Sequence, residues 1–108
     1  MEYSAILDFW FKEISPKQWF IKDKTLDAEI RSRFSAAYHK AVQGELSHWR
    51  ETPQGVLAEV ILLDQFSRNM FREDAKAFQF DCLALTLAQE ALRREDHLSL
   101  SDEEFGFL

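Results

Sequence analysis

The chain is almost free of the residues that interrupt helices and form tight turns. Its 108 residues include three glycines and two prolines, which is too few for the hairpin turns of a β-protein. Apolar side chains recur instead at spacings of three and four residues, as they do on one face of an α-helix. The sequence therefore predicts an all-α fold in which residues 1–108 form a single helical domain.

Signals for helix ends divide the chain into about four main helices and an unfinished last one. The first helix begins near Tyr3, is apolar on most sides, and ends close to Pro16. The second begins at a cap formed by Asp23 or Thr25 and stops at Gly44. Both helices carry apolar residues that have to be buried, so we expect them to pack against the rest of the chain.

The remaining helix signals lie in the second half of the chain. Thr52 precedes Pro53, which suits an N-cap followed by the first helical residue. A fourth helix is predicted from Asp74 to about Arg94. A capping-box spacing that starts at Ser101 announces a last helix that the chain does not complete. Together these elements predict an antiparallel array of helix hairpins with the third helix at its centre.

The fourth helix carries apolar residues on two sides. One side has Phe78, Cys82, Leu85 and Leu92, and the other has Phe80, Leu83, Leu87 and Ala91. We expect both sides to be buried. The single cysteine is then a small core residue, since free cysteine is among the most buried residue types.

The end of the chain is also apolar, with Phe105, Phe107 and Leu108 among its last four residues. Two interpretations are open. Either a partner subunit or further polypeptide covers these side chains, or the terminal turn folds back on the core. The first interpretation predicts a homo-oligomer or another protein partner.

Charge and hydropathy exclude two classes of partner. The formal net charge is -6 and the pI is about 5.0, whereas nucleic-acid-binding proteins concentrate Lys and Arg on one face. No apolar run reaches the roughly 18 residues that a membrane span needs, and no signal peptide is recognisable. We therefore expect neither nucleic acid nor membrane as a partner, and a cytoplasmic location.

An eleven-residue segment at the end of the third helix is unusually polar for a helix that is otherwise apolar. Asp64, Arg68 and Arg72 follow one another at i+4 steps, and Gln65 and Asn69 form the neighbouring ridge. One interpretation is a site for an anion or carboxylate, held by the two arginines and oriented by Asp64 and Asn69. The other is a structural network that satisfies the carbonyl groups at the helix end.

The sequence contains no pattern that specifies catalysis, a cofactor or a metal. His39, His48 and His97 are widely spaced, and none has a second metal-type ligand three or four residues away. Glu59 and Asp64 are five positions apart on one helix and so face different directions, which weakens any mechanism that needs the two carboxylates as a pair. The sequence leaves open whether the protein is an enzyme.

Several segments resemble a bacterial family catalogued as domain of unknown function 924. These segments are Phe9–Phe11, Trp19–Asp23, Gly44–Leu46 with Trp49, and above all Leu62–Arg72. The resemblance covers almost the whole chain. It implies an all-helical fold similar to tetratricopeptide repeats, and it implies that the chain corresponds to the N-terminal portion of a longer domain with further helices and histidines.

Two positions depart from the family pattern, which has a small residue at Gln79 and a basic one at Phe105. The family resemblance supplies no activity. We therefore predict a tetratricopeptide-like module that binds a protein or peptide in a groove between helices. The alternative is a protein or enzyme that binds an anionic small molecule through Asp64, Arg68, Asn69 and Arg72, and a weaker one is a shortened relic that dimerises.

Overall fold

A computed structural model describes all residues 1–108, and every regular element in it is helical. The α-helices are α1 (Tyr3–Asp8), α2 (Lys24–Val42), α3 (Pro53–Ile61), α4 (Ser67–Met70), α5 (Asp81–Arg93) and α6 (Asp102–Phe105). The all-α prediction is confirmed. None of these helices combines the length and the apolar character that crossing a membrane requires.

Helix starts follow the capping signals in the sequence. The Asp23 carboxylate accepts hydrogen bonds from two backbone N–H groups at the start of α2. At α3, the backbone N–H of Gly55 donates to the Thr52 hydroxyl oxygen over 3.0 Å. Ser101 and Glu104 form the predicted capping box at α6. These side chains satisfy N–H groups that would otherwise lack a partner in the first turn.

The centre of the fold is one long helical run. α3 continues through a π-helical segment, Leu62–Phe66, directly into α4. Leu57, Ile61 and Phe66 are completely buried in this run. α3 packs against α1 on one side and α5 on the other, which confirms that the third helix is central. The run places the polar segment between α2 and α5.

The end of the chain folds back onto an aromatic cluster. The Phe107 ring lies 4.8 Å from the ring of Trp19 and 5.5 Å from that of Trp10, measured between centroids. The Trp19 indole N–H donates to the Trp10 carbonyl oxygen over 2.8 Å. Phe107 and Leu108 are consequently half-buried, while Phe105 stays exposed.

The predicted fourth helix is divided. Asp74 caps a short 3-10 turn, Ala75–Phe78, by accepting the backbone N–H of Lys76 over 2.9 Å. The α-helix α5 then begins at Asp81. Phe80 departs from helical geometry, with φ -113° and ψ 22°, so the two pieces do not form one helix.

The expectation that both sides of this helix are buried is wrong. Leu87 and Ala91 are buried, but Cys82 is exposed, and Phe78, Leu85 and Leu92 expose 57%, 59% and 42% of their surface. Helical periodicity identifies the residues that share a face, yet it does not reveal whether another element covers that face. We call Cys82, Leu85 and Leu92 the α5 outer face.

Candidate functional site

The polar segment does not form one continuous ridge. The helical run ends at Met70, and Phe71 has a non-helical backbone with φ -122° and ψ 40°. Arg72 therefore lies beyond the helix and does not line up with Asp64 and Arg68. The structure separates the five predicted residues into two clusters on different sides of the run.

The first cluster joins the run to the start of α5. Arg68 forms an ion pair with Asp64 and donates a second hydrogen bond to the Asp81 carboxylate over 3.2 Å. The Gln65 side-chain amide donates to Asp64 over 2.9 Å. The guanidinium group also lies over the Phe78 ring, 4.9 Å from its centroid. Arg68 is thus shared between two carboxylates and an aromatic ring.

The second cluster joins the end of α4 to α2. Arg72 donates to both carboxylate oxygens of Asp27, over 2.6 Å from Nε and 3.0 Å from Nη2. The Asn69 side-chain amide donates to the same carboxylate over 2.9 Å. Asp27 is only 5% exposed, and a carboxylate so buried requires such partners. The sequence does not reveal this role of Asp27, because its partners Asn69 and Arg72 lie 42 and 45 residues later in the chain.

The contacts of Asp27 determine its protonation. Burial raises the pKa of Asp27, but the hydrogen bonds from Arg72 and Asn69, with the charges of Arg72 and Arg31, lower it by more. The resulting pKa lies below the ordinary value for an aspartate. Asp27 is therefore ionised in the folded protein at neutral pH, which keeps its pair with Arg72 intact.

This lowered pKa predicts that Asp27 contributes to acid unfolding. Its stabilising contribution is complete above the ordinary aspartate pKa and is lost as the pH falls through the lower folded-state pKa. We expect Asp27→Asn to reduce the dependence of the free energy of unfolding on pH between about 5 and 2. Urea denaturation at a series of pH values measures this dependence. The exposed Asp102→Asn variant is the control, and an equal dependence in both variants would contradict the prediction.

A third charged pair was not predicted at all. Glu59 is completely buried in α3, and Arg50 donates to both its carboxylate oxygens over 2.9 and 2.8 Å. The signal in the sequence was a glutamate inside an otherwise apolar run, because a buried carboxylate requires a cationic partner. Glu59 and Asp64 pair with different arginines, Arg50 and Arg68.

An apolar cleft of about 360 Å³ lies between the helical run, α5 and the end of the chain. Its lining residues are Val60, Asp64, Asp81, Cys82, Ala84, Leu85, Ala88, Phe107 and Leu108. The two carboxylates belong to the first cluster. The Oδ1 atom of Asp81 is buried without a hydrogen-bond partner in the protein. The cleft therefore combines an apolar surface with two carboxylate side chains.

The histidines are dispersed in the structure as in the sequence. His39 and His48 are exposed, and His97 is half-buried beside Phe105. No group of three or more His, Cys, Asp or Glu side chains is arranged to hold a metal ion.

The chain is similar to one bacterial family over nearly its full length. The model of that family, described as a bacterial protein of unknown function, DUF924, matches residues 6–108. The chain belongs to the DUF924 family. This assignment confirms the resemblance seen in Leu62–Arg72 and the aromatic segments that precede it.

A solved structure shares the fold of this DUF924 chain. The protein of unknown function ATU0120 from Agrobacterium tumefaciens is 39% identical in sequence, with a TM-score of 0.92. The match covers 97% of this chain and 59% of that one, so the chain spans about three fifths of the length of its relative. No functionally curated protein matches the chain.

Proposed function

We propose that this chain is a protein-interaction module that binds an amphipathic helical segment across the α5 outer face. The observation that carries the proposal is the exposure of large apolar side chains on one side of one helix. Single exposed apolar residues are common on protein surfaces. Here Cys82 and Leu85 belong both to the α5 outer face and to the lining of the apolar cleft, so they form part of a contiguous patch. Such patches mark interaction sites.

The dimensions of this surface suit a helix. Leu85 and Leu92 are seven residues apart, which corresponds to two helical turns and about 10 Å along α5. A partner helix with apolar residues at i, i+3, i+4 and i+7 would place its side chains against this row and into the cleft. A helix packed in this way would continue the array of α1, α3 and α5, as in the tetratricopeptide-like arrangement that the family resemblance implies.

Charge at one end of the surface gives the partner an orientation. Asp81 is the first residue of α5, and it shares the counter-ion Arg68 with Asp64 of the helical run. Because the Asp64 and Asp81 side chains are 29% and 39% exposed, a Lys or Arg of the partner would gain a charge-assisted hydrogen bond here. We therefore expect the bound helix to be basic at the end that meets Asp81.

The proposed occupant is helical polypeptide equivalent to the part of the Agrobacterium protein that lies outside the match. That relative carries polypeptide beyond the 59% of its length that this chain covers. At least one member of the family therefore has additional polypeptide beside the part that corresponds to this chain. An uncovered apolar helix face is a suitable place for it, because burying such a face is favourable.

Titration with synthetic peptides from that unmatched part tests the proposal. We expect one of them to bind saturably, and Leu85→Asp to weaken its binding at least about 30-fold, as at a central interface residue. Leu98→Asp is the matched control, because Leu98 is exposed in the 3-10 turn Asp96–Ser99, outside the α5 outer face. The Leu98→Asp variant should bind the peptide with unchanged affinity. Isothermal titration calorimetry gives both affinities.

Two results would contradict the proposal. In the first, no peptide binds and the chain is a monomer in light scattering. In the second, the chain is a dimer that Leu85→Asp dissociates, which would make a second copy the occupant and support the predicted homo-oligomer. The anionic-ligand alternative at Asp64, Gln65, Arg68 and their neighbours stays a prediction. We retain the cytoplasm as the proposed location.

A further inference from the structure

A second cleft, lined entirely by charged side chains, lies between the start of α2 and the end of α4. It has a volume of about 420 Å³ and is lined by Lys22, Lys24, Asp27, Arg31, Arg72 and Glu73. We call it the basic cleft. Four of its side chains are cationic and two are anionic, whereas the whole chain has a net charge of -6. Positive charge is thus concentrated locally on an acidic protein.

Arg72 is held rigidly in this cleft. Its Nε and Nη2 atoms are bound to the buried Asp27 carboxylate, which Asn69 also contacts. This bidentate pair fixes the plane of the guanidinium group before any ligand arrives. The Nη1 atom makes no hydrogen bond within the protein and remains available as a donor.

Two further cations of the cleft also have unused donors. Arg31 lies one helical turn after Asp27, and its Nε donates to the Met70 carbonyl oxygen over 3.4 Å. Its two terminal nitrogens have no protein partner. The Lys24 ammonium group forms no ion pair within the chain. The rigid guanidinium of Arg72 and two other cationic side chains therefore line the same cleft.

The remaining two residues of the cleft, Lys22 and Glu73, form an ion pair with no net charge. In this pair of 2.6 Å, both side chains are largely exposed. Exposed pairs of this kind contribute little and open easily. Since this pair is neutral and Asp27 balances Arg72, the charges of Lys24 and Arg31 are uncompensated. The cleft presents two positive charges in excess.

We propose that the basic cleft binds an oxyanion that carries two negative charges, such as a phosphate group or a dicarboxylate. Arginine pairs with such oxygens through paired N–H donors, and lysine adds a mobile point charge. The volume lies within the range of small-molecule sites. This site uses Arg72 of the predicted cluster, and it does not depend on the α5 outer face.

Titration of the 108-residue chain with inorganic phosphate tests the proposal. Nuclear magnetic resonance at constant ionic strength follows the backbone amides of residues 22–31 and 70–73. We expect saturable shifts in these residues, and a loss of affinity of about tenfold in the double variant Lys24→Gln/Arg31→Gln. The double variant Lys17→Gln/Lys40→Gln removes the same charge at exposed lysines elsewhere and should bind within about twofold of the original chain.

A substitution that strengthens phosphate binding separates a specific site from general attraction between the anion and the protein surface. Glu73→Gln removes one negative charge from the cleft without touching Arg72, and we expect it to strengthen phosphate binding about threefold. Glu103→Gln, at an exposed glutamate of α6, should have no effect. A parallel titration with succinate assigns the site to phosphate or to dicarboxylates according to which binds more tightly. Shifts that do not saturate with either anion, or an equal loss in both double variants, would overturn the proposal.

Discussion

Replacing Arg50 with alanine is expected to lower the free energy of unfolding by about 3 kcal/mol or more. The substitution leaves the completely buried Glu59 carboxylate without the two hydrogen bonds that Arg50 donates. A buried charge without a partner is much more costly than the loss of an exposed pair. Urea denaturation at neutral pH measures the difference in the free energy of unfolding.

The control for Arg50 is an arginine in an exposed pair. Arg93 pairs with Glu90 on the surface of α5, and Arg93→Ala should lower the free energy of unfolding far less than Arg50→Ala. The double variant Arg50→Met/Glu59→Leu removes both charges and should recover much of the lost stability, because apolar replacements of buried pairs are often neutral or better. Equal costs for Arg50→Ala and Arg93→Ala would show that the buried pair is not a structural requirement.

The second large effect is expected from Gly55→Ala, which should cost about 3 kcal/mol. A Cβ atom at this position would lie 1.8 Å from the Trp49 carbonyl oxygen and 2.7 Å from the Trp49 carbonyl carbon. These are backbone atoms, so the turn before α3 would have to move. Alanine has the higher helix propensity, and a destabilised variant therefore reports the close contact directly. Thermal and urea unfolding both measure it.

Gly106 is the matched control for this substitution. A Cβ there would lie 3.4 Å from the Glu103 carbonyl oxygen, and the Gly106 backbone is helical with φ -60°. We expect Gly106→Ala to change stability by no more than about 0.5 kcal/mol. A Gly55→Ala variant as stable as Gly106→Ala would mean that Trp49 does not approach α3 as closely as the structure shows.

The helices and their starting points could be predicted because they depend on local chemistry. The side chains of Thr52 and Ser101 accept hydrogen bonds from backbone N–H groups within three residues. Pro53 has no backbone N–H group that would need a partner. These roles are therefore visible in the sequence alone. The family was also recognisable from a short polar segment. These features do not require knowledge of which helices lie beside one another.

The partners of the charged residues could not be predicted, because they come from distant parts of the chain. Arg72 pairs with Asp27, which lies 45 residues earlier, and Arg68 reaches Asp81, 13 residues later. The end of the helical run at Met70 turns Arg72 away from Arg68. Local spacing therefore predicted the members of the polar segment, but it did not predict their division into two clusters.

The exposure of the α5 outer face shows a second limit of local patterns. Its apolar residues have the same spacing as those on the buried side of α5. Only the packing of α3 against one side distinguishes Leu87 and Ala91 from Cys82 and Leu85. For the same reason, the sequence placed Cys82 in the core although it is exposed.

The exposed Cys82 offers the most direct test of the docking proposal. It is the single cysteine of the chain and lies on the α5 outer face, so its reaction with N-ethylmaleimide reports access to that surface. With a saturating cysteine-free peptide from the unmatched part of the Agrobacterium protein, we expect alkylation to slow several-fold. An unchanged alkylation rate while calorimetry shows the peptide bound would place the peptide elsewhere and contradict the account.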